Sequence, residues 1–203
     1  MTLSKRIKEA VDRLASLPGI GPRQAIRLAF FLSRSGREVS SRLAEAVRAL
    51  GETKVCESCF FIHENGSALK NFCEICSDPS RLENVVALVE KETDLLSLEK
   101  TGKFKGRYLV LGDLKKNGVL GDEERRRIEI FKNRIKNSPS GKLEEIILAL
   151  SPTSFGDFSA SMLEKELSGL AKKITRLGRG IPTGGEIEFA DEETLSHALQ
   201  NRS

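Results

Sequence analysis

The sequence predicts a multidomain protein of the α/β class, and three observations carry that expectation. Short continuous apolar runs at 85–89, 108–111 and 146–150, with a weaker one at 174–177, alternate with segments of helical periodicity. Buried parallel strands covered by helices on both faces have this form. All four cysteines fall within 21 residues, as Cys56-Glu-Ser-Cys59 and Cys73-Glu-Ile-Cys76. Ahead of them, two helical patterns flank a turn built from two prolines and two glycines. The expected division is 1–54 for a helical head, 55–80 for a four-cysteine ribbon, 81–175 for an α/β domain with a parallel sheet, and 176–203 for a turn-rich segment with a final helix.

The totals narrow the function classes. No apolar run approaches the ~20 residues that span a bilayer. The N-terminus is amphipathic and lacks the apolar stretch of a secretory signal, so the cytoplasm is the expected compartment. The net charge of +4 is unevenly spread: residues 1–55 carry eleven Lys/Arg against five Asp/Glu, and the remaining 148 carry 22 against 24. The basic excess therefore lies wholly before the cysteines. Such a head either meets a polyanion or is a solvated helix face.

In the head, Leu3, Ile7, Ala10, Val11 and Leu14 recur at helical spacing, predicting a helix over 3–15. Leu17-Pro-Gly-Ile-Gly-Pro22 stops it. A second helix follows from Arg23, with Ala25, Leu28, Ala29 and Leu32 on one side. The glycines Gly19 and Gly21 let backbone N–H groups approach a ligand, and the positive end of the second helix points at the same spot. Arg23 and Arg27 add charge on the next turns. A third helix over 40–50, read from Val39, Leu43, Val47 and Leu50, is expected to pack beneath this hairpin. The L-P-G-I-G-P-R-x-A stretch resembles the helix-hairpin-helix motif, which binds DNA phosphates without reading base sequence; a purely structural αα-corner would look alike.

Each C-x-x-C pair can place two sulfurs on one ion, and two pairs supply the four thiolates that a closed tetrahedral zinc site uses. Two disulfides suit small secreted domains, and a redox C-x-x-C needs only one pair. The expectation is therefore one structural Zn2+ per chain on Cys56, Cys59, Cys73 and Cys76. His63 is expected to stay outside the ligand set. Phe60, Phe61, Ile62, Leu69 and Phe72 should pack around the site, with Asn65-Gly66 as a hairpin turn.

In the α/β body, helices are expected near 93–100, 122–137, 158–171 and 191–201. Functional groups in such sheets gather beyond the carboxyl ends of the strands. Those ends carry Glu90, Gly112-Asp113, Ser151-Pro-Thr153 with Asp157, and Gly178-Arg-Gly180. Gly184-Gly185 with Glu186, Glu188 and Asp191 either touches a metal or partner or is a turn entering an acid-capped helix.

An acid directly after the first strand and another after a later one resembles the topoisomerase–primase (Toprim) domain. That fold implies a glutamate and an Asp-x-Asp pair holding magnesium. Here Glu90 matches, but Phe155-Gly-Asp157 puts an aromatic where the first acid of the pair belongs. One carboxylate fewer weakens a Mg2+ site. The only tyrosine, Tyr108, begins an apolar run and is poorly placed as a nucleophile. A magnesium-dependent DNA-cleaving enzyme is the competing class, and a dimeric, sequence-reading zinc-ribbon regulator is a third.

Taken in order, the hairpin, the cysteine ribbon, the Toprim-like body and R-G-I-P-x-G-G-E-x-E-x-x-D resemble the bacterial RecR family of recombination mediators over essentially the whole chain. The resemblance implies a non-catalytic DNA-repair protein: a ring-shaped homotetramer that can encircle single- or double-stranded DNA. It implies work with RecO and RecF to load RecA onto single-stranded DNA coated by single-strand-binding protein. It further implies Gly19, Gly21, Arg23 and Arg27 as DNA-contacting residues and Glu90 and Asp157 as the Toprim acid or partner site. Phe155 and the short charged loop at Lys115-Lys-Asn117 depart from the family pattern.

Overall fold

The computed structural model describes residues 3–64, 71–114 and 120–202. The turn expected at Asn65-Gly66, the packing role of Leu69 and the loop at 115–117 lie outside the described residues. The chain forms two compact units that divide after Thr53.

The first unit is helical: α1 Lys5–Ala15, α2 Pro22–Arg34 and α3 Gly36–Ala49, closed by one 3-10 turn over Leu50–Glu52. Its buried residues are small. Ala25 and Ala29 lie one turn apart on α2 and are the two side chains of that helix that are lost to solvent. Alanine at both positions lets α1 and α2 approach closely at little entropic cost. The expectation for α3 fails. The helix exists, but Val39, Leu43, Val47 and Leu50 are 44–67% exposed. Their spacing does give one apolar stripe, yet none of α3 is buried. Periodicity reveals an apolar face; it does not reveal what covers it.

The second unit holds a parallel sheet of β3 Leu82–Val89, β4 Gly106–Val110, β5 Leu143–Ala149 and β6 Ala171–Arg176, ordered β4-β3-β5-β6. All three pairings are parallel. The central strands β3 and β5 carry the longest apolar runs because both faces are covered. Val86, Ala87, Leu88 and Val89 are all buried, as are Ile146, Leu148 and Ala149. The helices α5 Glu92–Glu99, α6 Asp122–Lys136 and α7 Ser154–Glu166 connect successive strands. Leu95, Ile128, Phe131, Ile135, Ala160 and Leu163 from them complete the core. With the right-handed crossovers that parallel units adopt, this strand order puts α5 on one face and α6 and α7 on the other. Strand order reverses between β3 and β5, the place where ligands of open parallel sheets gather.

The helix expected over 158–171 begins and ends earlier, at Ser154 and Glu166. Thr153 caps it, its side chain accepting from the Gly156 N–H at 3.1 Å. Ser151-Pro-Thr-Ser-Phe-Gly has the composition of a loop, which hides this cap in the sequence. Gly169, at φ +83°, turns the chain out of the helix toward β6. A final helix, α8 Glu192–Gln200, starts on an Asp191 carboxylate that accepts from the Thr194 N–H at 2.7 Å.

Two-residue strands β1 Lys54–Val55 and β2 Ile62–His63 pair antiparallel, and a single turn, α4 Glu74–Ser77, follows. These carry the cysteines. They also protect the sheet edge: the Val110 N–H of edge strand β4 donates to the Cys59 carbonyl at 2.8 Å. An exposed parallel edge would otherwise leave that donor open to another chain.

Candidate nucleic-acid interface, metal centre and acid site

The hairpin between α1 and α2 is built from backbone bonds. Leu17 N–H donates to the Leu14 carbonyl and Ile20 N–H to that of Leu17, each at 3.2 Å. Gly19 sits at φ +78°, in the left-handed region that glycine enters without strain. Gly21 is the N-cap of α2 at φ −78° and ψ 165°, with Pro22 at the first helical position. That conformation suits any residue, so the value of glycine at 21 is open space: an added Cβ there would meet nothing within 4 Å. No side chain caps α2. The Ala25 N–H returns to the Gly21 carbonyl at 2.9 Å, while the N–H groups of Arg23 and Gln24 precede the first intrahelical bond. Uncapped amides at a helix start form an anion site together with the macrodipole. Arg23 and Arg27 are exposed and four residues apart, on one face of the helix. Among the described residues neither forms an ion pair, so both charges stay available.

The metal centre is compact. The ligand atoms of Cys56, Cys59, Cys73 and Cys76 all lie within 4.8 Å of one another, and all four residues are buried. Two tight turns produce this. Phe60 N–H donates to the Cys56 carbonyl at 2.9 Å, and Phe60 itself takes φ +63° to reverse the chain. Cys73 N-caps α4, and its N–H points at the Cys56 sulfur at 3.4 Å. A backbone donor on sulfur favours the thiolate. The thiols also act on one another: hydrogen bonding with Cys59 holds Cys56 below the ordinary thiol range, and the same contact pushes Cys59 above it. Four buried sulfurs at this separation fit a tetrahedral metal ion. Every ligand is a protein group, so the site is closed to substrate. His63 lies outside the set, its Nδ1 at 2.8 Å from the Glu64 carbonyl.

What the sequence did not disclose is how this knuckle is held. Arg134, on α6, donates from Nη1 to the Ser58 carbonyl at 2.5 Å and to Ser58 Oγ at 2.6 Å. Arg127, also on α6, lies over the Phe60 ring at 5.2 Å from its centroid. Phe60 belongs to the main hydrophobic core. The knuckle is thus pinned to the α/β body by a guanidinium at its first turn and an aromatic beside it. The partners are separated by 76 residues, and nothing local announces them.

At the carboxyl ends of the strands, Glu90 follows β3 and Asp157 lies in the first turn of α7. The structure does not give these acids a shared metal-ligand set. Among the described residues, the cysteines are the only group of three or more His, Cys, Asp or Glu able to hold an ion. Instead Asp157 is occupied. Arg179 grips it with both terminal nitrogens, Nη1 reaching Oδ2 at 3.1 Å, and Arg176 Nη1 stands 3.5 Å from Oδ1. The Arg179 hydrogen bonds hold the Asp157 carboxyl below the usual carboxylate range. Glu90 has Lys91 Nζ at 3.9 Å. The residues present therefore fit poorly to Mg2+: cations of the chain itself face the acids. Gly178-Arg-Gly180 is placed beyond the carboxyl end of β6 by the sequence, but the pairing of Arg179 with Asp157, and the part played by Arg176, are not, because the two segments share no periodicity. Tyr108 is 1% exposed, packed edge-on against Phe104, and burial raises its hydroxyl pKa, so it cannot serve as a nucleophile.

A helix-hairpin-helix unit, a four-cysteine cluster able to hold a metal ion and a parallel α/β body with an acid-bearing carboxyl edge define a Toprim protein with a helix-hairpin-helix head. Family models agree: a RecR helix-hairpin-helix matches residues 7–50, a Toprim domain 84–178, and a RecR C-terminal segment 180–203. The chain is 39% identical to recombination protein RecR of Herpetosiphon aurantiacus over 97% of this chain and 93% of that one. It is 37% identical to that of Bifidobacterium animalis, covering 97% and 94%, and 36% identical to that of Bdellovibrio bacteriovorus, covering 97% and 96%. The chain belongs to the RecR family.

Proposed function

We propose that this protein is a non-catalytic DNA-binding mediator of recombinational DNA repair, working in the bacterial cytoplasm at the nucleoid. The observation that carries the reading is the uncapped start of α2, where free amides, Gly19, Gly21 and the unpaired Arg23 and Arg27 converge. Such a site binds phosphate in any sequence context. Family membership supports recombination as the process.

On this reading the four regions 1–54, 55–80, 81–175 and 176–203 divide the labour. The head binds single- or double-stranded DNA. Zn2+ on the four cysteines is structural, orders the knuckle and takes no part in chemistry. The Toprim-like body, with Glu90 and Asp157, meets protein partners: RecO and RecF, with which the chain loads RecA onto DNA coated by single-strand-binding protein. The arginines on Asp157 argue against magnesium-dependent cleavage, and Phe155 removes a further acid. A homotetrameric ring fits the large apolar surface left open, including the α3 stripe and Phe189 at 80% exposure. A ring would multiply weak phosphate contacts and retain DNA without base readout.

Native mass measurement with and without DNA and RecO tests this. Tetramer mass, with added DNA and RecO mass, is expected. A monomer under every condition would remove the ring, and cleavage of DNA with magnesium would restore the enzyme.

A further inference from the structure

The amino-terminal edge of the sheet, opposite the Toprim acids, holds a cavity of about 350 Å3 that the function above does not use. It lies between the start of β3, the start of β4, the end of α6 and the loop before β5. Val86, Phe131, Ile135, Pro139 and Leu143 make apolar walls, and Arg107 and Arg134 bring two guanidinium groups to them.

Local backbone irregularity builds this place. Leu82 pairs with Gly106, but the next partners are Val86 and Arg107, so residues 83–85 bulge out of β3 against β4. The bulge swings Glu83 and Asn84 onto the cavity rim. It also brings the Val85 carbonyl down onto Gly106, where any Cβ would overlap that oxygen. Bulges of this kind commonly re-aim side chains beside binding sites. Arg107 gains an unusual environment from it. Its Nε is buried with no hydrogen-bond partner among the described residues. Its Nη2 is held at 2.6 Å by Glu83, a carboxylate that is itself 75% exposed. A buried guanidinium donor left unpaired is costly unless something satisfies it, and an exposed carboxylate is easily exchanged for a better one.

We propose that this cavity binds an apolar group bearing a carboxylate. The apolar part would lie between Phe131, Ile135 and Leu143, and the carboxylate would replace Glu83 on Arg107, pairing with the fork that includes the unsatisfied Nε. A guanidinium presents parallel donors that match two carboxylate oxygens. The volume lies at the small end of ligand pockets, enough for one aromatic or branched side group. Two sources share this chemistry: a free aromatic or aliphatic acid, and the last residue of a polypeptide ending in an apolar side chain.

The test uses the zinc-loaded full chain and amide-resolved NMR titration with N-acetyl-phenylalanine, its carboxamide, inorganic phosphate, and a heptapeptide ending in phenylalanine. Saturable shifts at Arg107, Leu143 and Asn84 with the acid are expected, and at least tenfold weaker binding of the carboxamide. Arg107→Gln should weaken the acid at least tenfold. Asn84→Trp, at an exposed rim position that leaves the core untouched, should block it even if Arg107→Gln disturbs folding. Tighter binding of the heptapeptide than of the free acid assigns the site to a chain terminus, and equal binding assigns it to a small acid. Equal affinity for acid and carboxamide, competition by phosphate, no saturable binding, or no effect of Asn84→Trp would each overturn the proposal.

Discussion

Gly156→Ala sets two effects of opposite sign against each other. Gly156 lies inside α7, where alanine is intrinsically better than glycine by about 1 kcal/mol. A reading of helix propensity alone makes the variant more stable. The structure says otherwise. An added Cβ would overlap the Ser151 carbonyl oxygen, with the Ser151 carbonyl carbon 3.2 Å away and Thr153 Oγ1 3.4 Å away. The obstacle is backbone and cannot rotate aside. Relief requires the 151–153 segment to move, which costs about 1–3 kcal/mol as overpacking and puts at risk the Thr153 cap, itself worth about 0.5–2 kcal/mol. Central values leave a net loss of about 2 kcal/mol after the propensity gain, so Tm should fall by about 4–8 °C in a unit of this size. Thermal unfolding followed by circular dichroism measures it, with Gly51→Ala as the control, since a Cβ at Gly51 meets nothing within 4 Å. An unchanged or raised Tm for Gly156→Ala would refute the packing argument.

Metal analysis should give one zinc per chain, and chelation should loosen the knuckle and release Phe60 from the core, seen as lost cooperativity in unfolding; a metal-free protein that unfolds with unchanged cooperativity would contradict the site. Asp157 sets a pH dependence. Its carboxyl titrates lower folded than unfolded, so the unfolded chain binds more protons in the acid range and stability rises with pH there. The contribution is full above the ordinary value of about 4 and is lost as pH falls below it. The pair is a third exposed, so its worth is about 1 kcal/mol or less. Asp157→Asn should flatten the acid limb by that amount while leaving the fold intact; an unchanged acid limb would mean that Arg179 does not hold the acid in solution.

Much of the architecture was legible from local pattern. Unbroken apolar runs give β3, β4 and β5 because a strand covered on both faces has no polar alternation to disguise it, whereas β6, an edge strand with exposed positions, shows only the weaker run at 174–177. The cysteine spacing marks the metal centre, and the Pro-Gly turn marks the hairpin, since both are short-range chemical constraints. The missed features are long-range or depend on what lies above a surface. Arg134 on Ser58 and Arg179 on Asp157 join segments that no periodicity links. The start of α7 was hidden because Thr153, Ser154 and Gly156 carry turn composition while serving as cap and close-packed helix. Along α3 and into the turn after it, the spacing of Val39, Leu43, Val47 and Leu50 marks an apolar stripe but not what covers it, and all four are exposed.

The central claim is that DNA phosphate docks at the start of α2. It is tested most directly by the salt dependence of DNA binding, measured by fluorescence anisotropy on two duplexes of unrelated sequence. The slope of log K against log salt should shrink by up to about 0.9 for each phosphate contact removed, so Arg23→Ala/Arg27→Ala should lower it by up to about 1.8 on both duplexes alike. A slope unchanged from the wild-type protein would contradict the account.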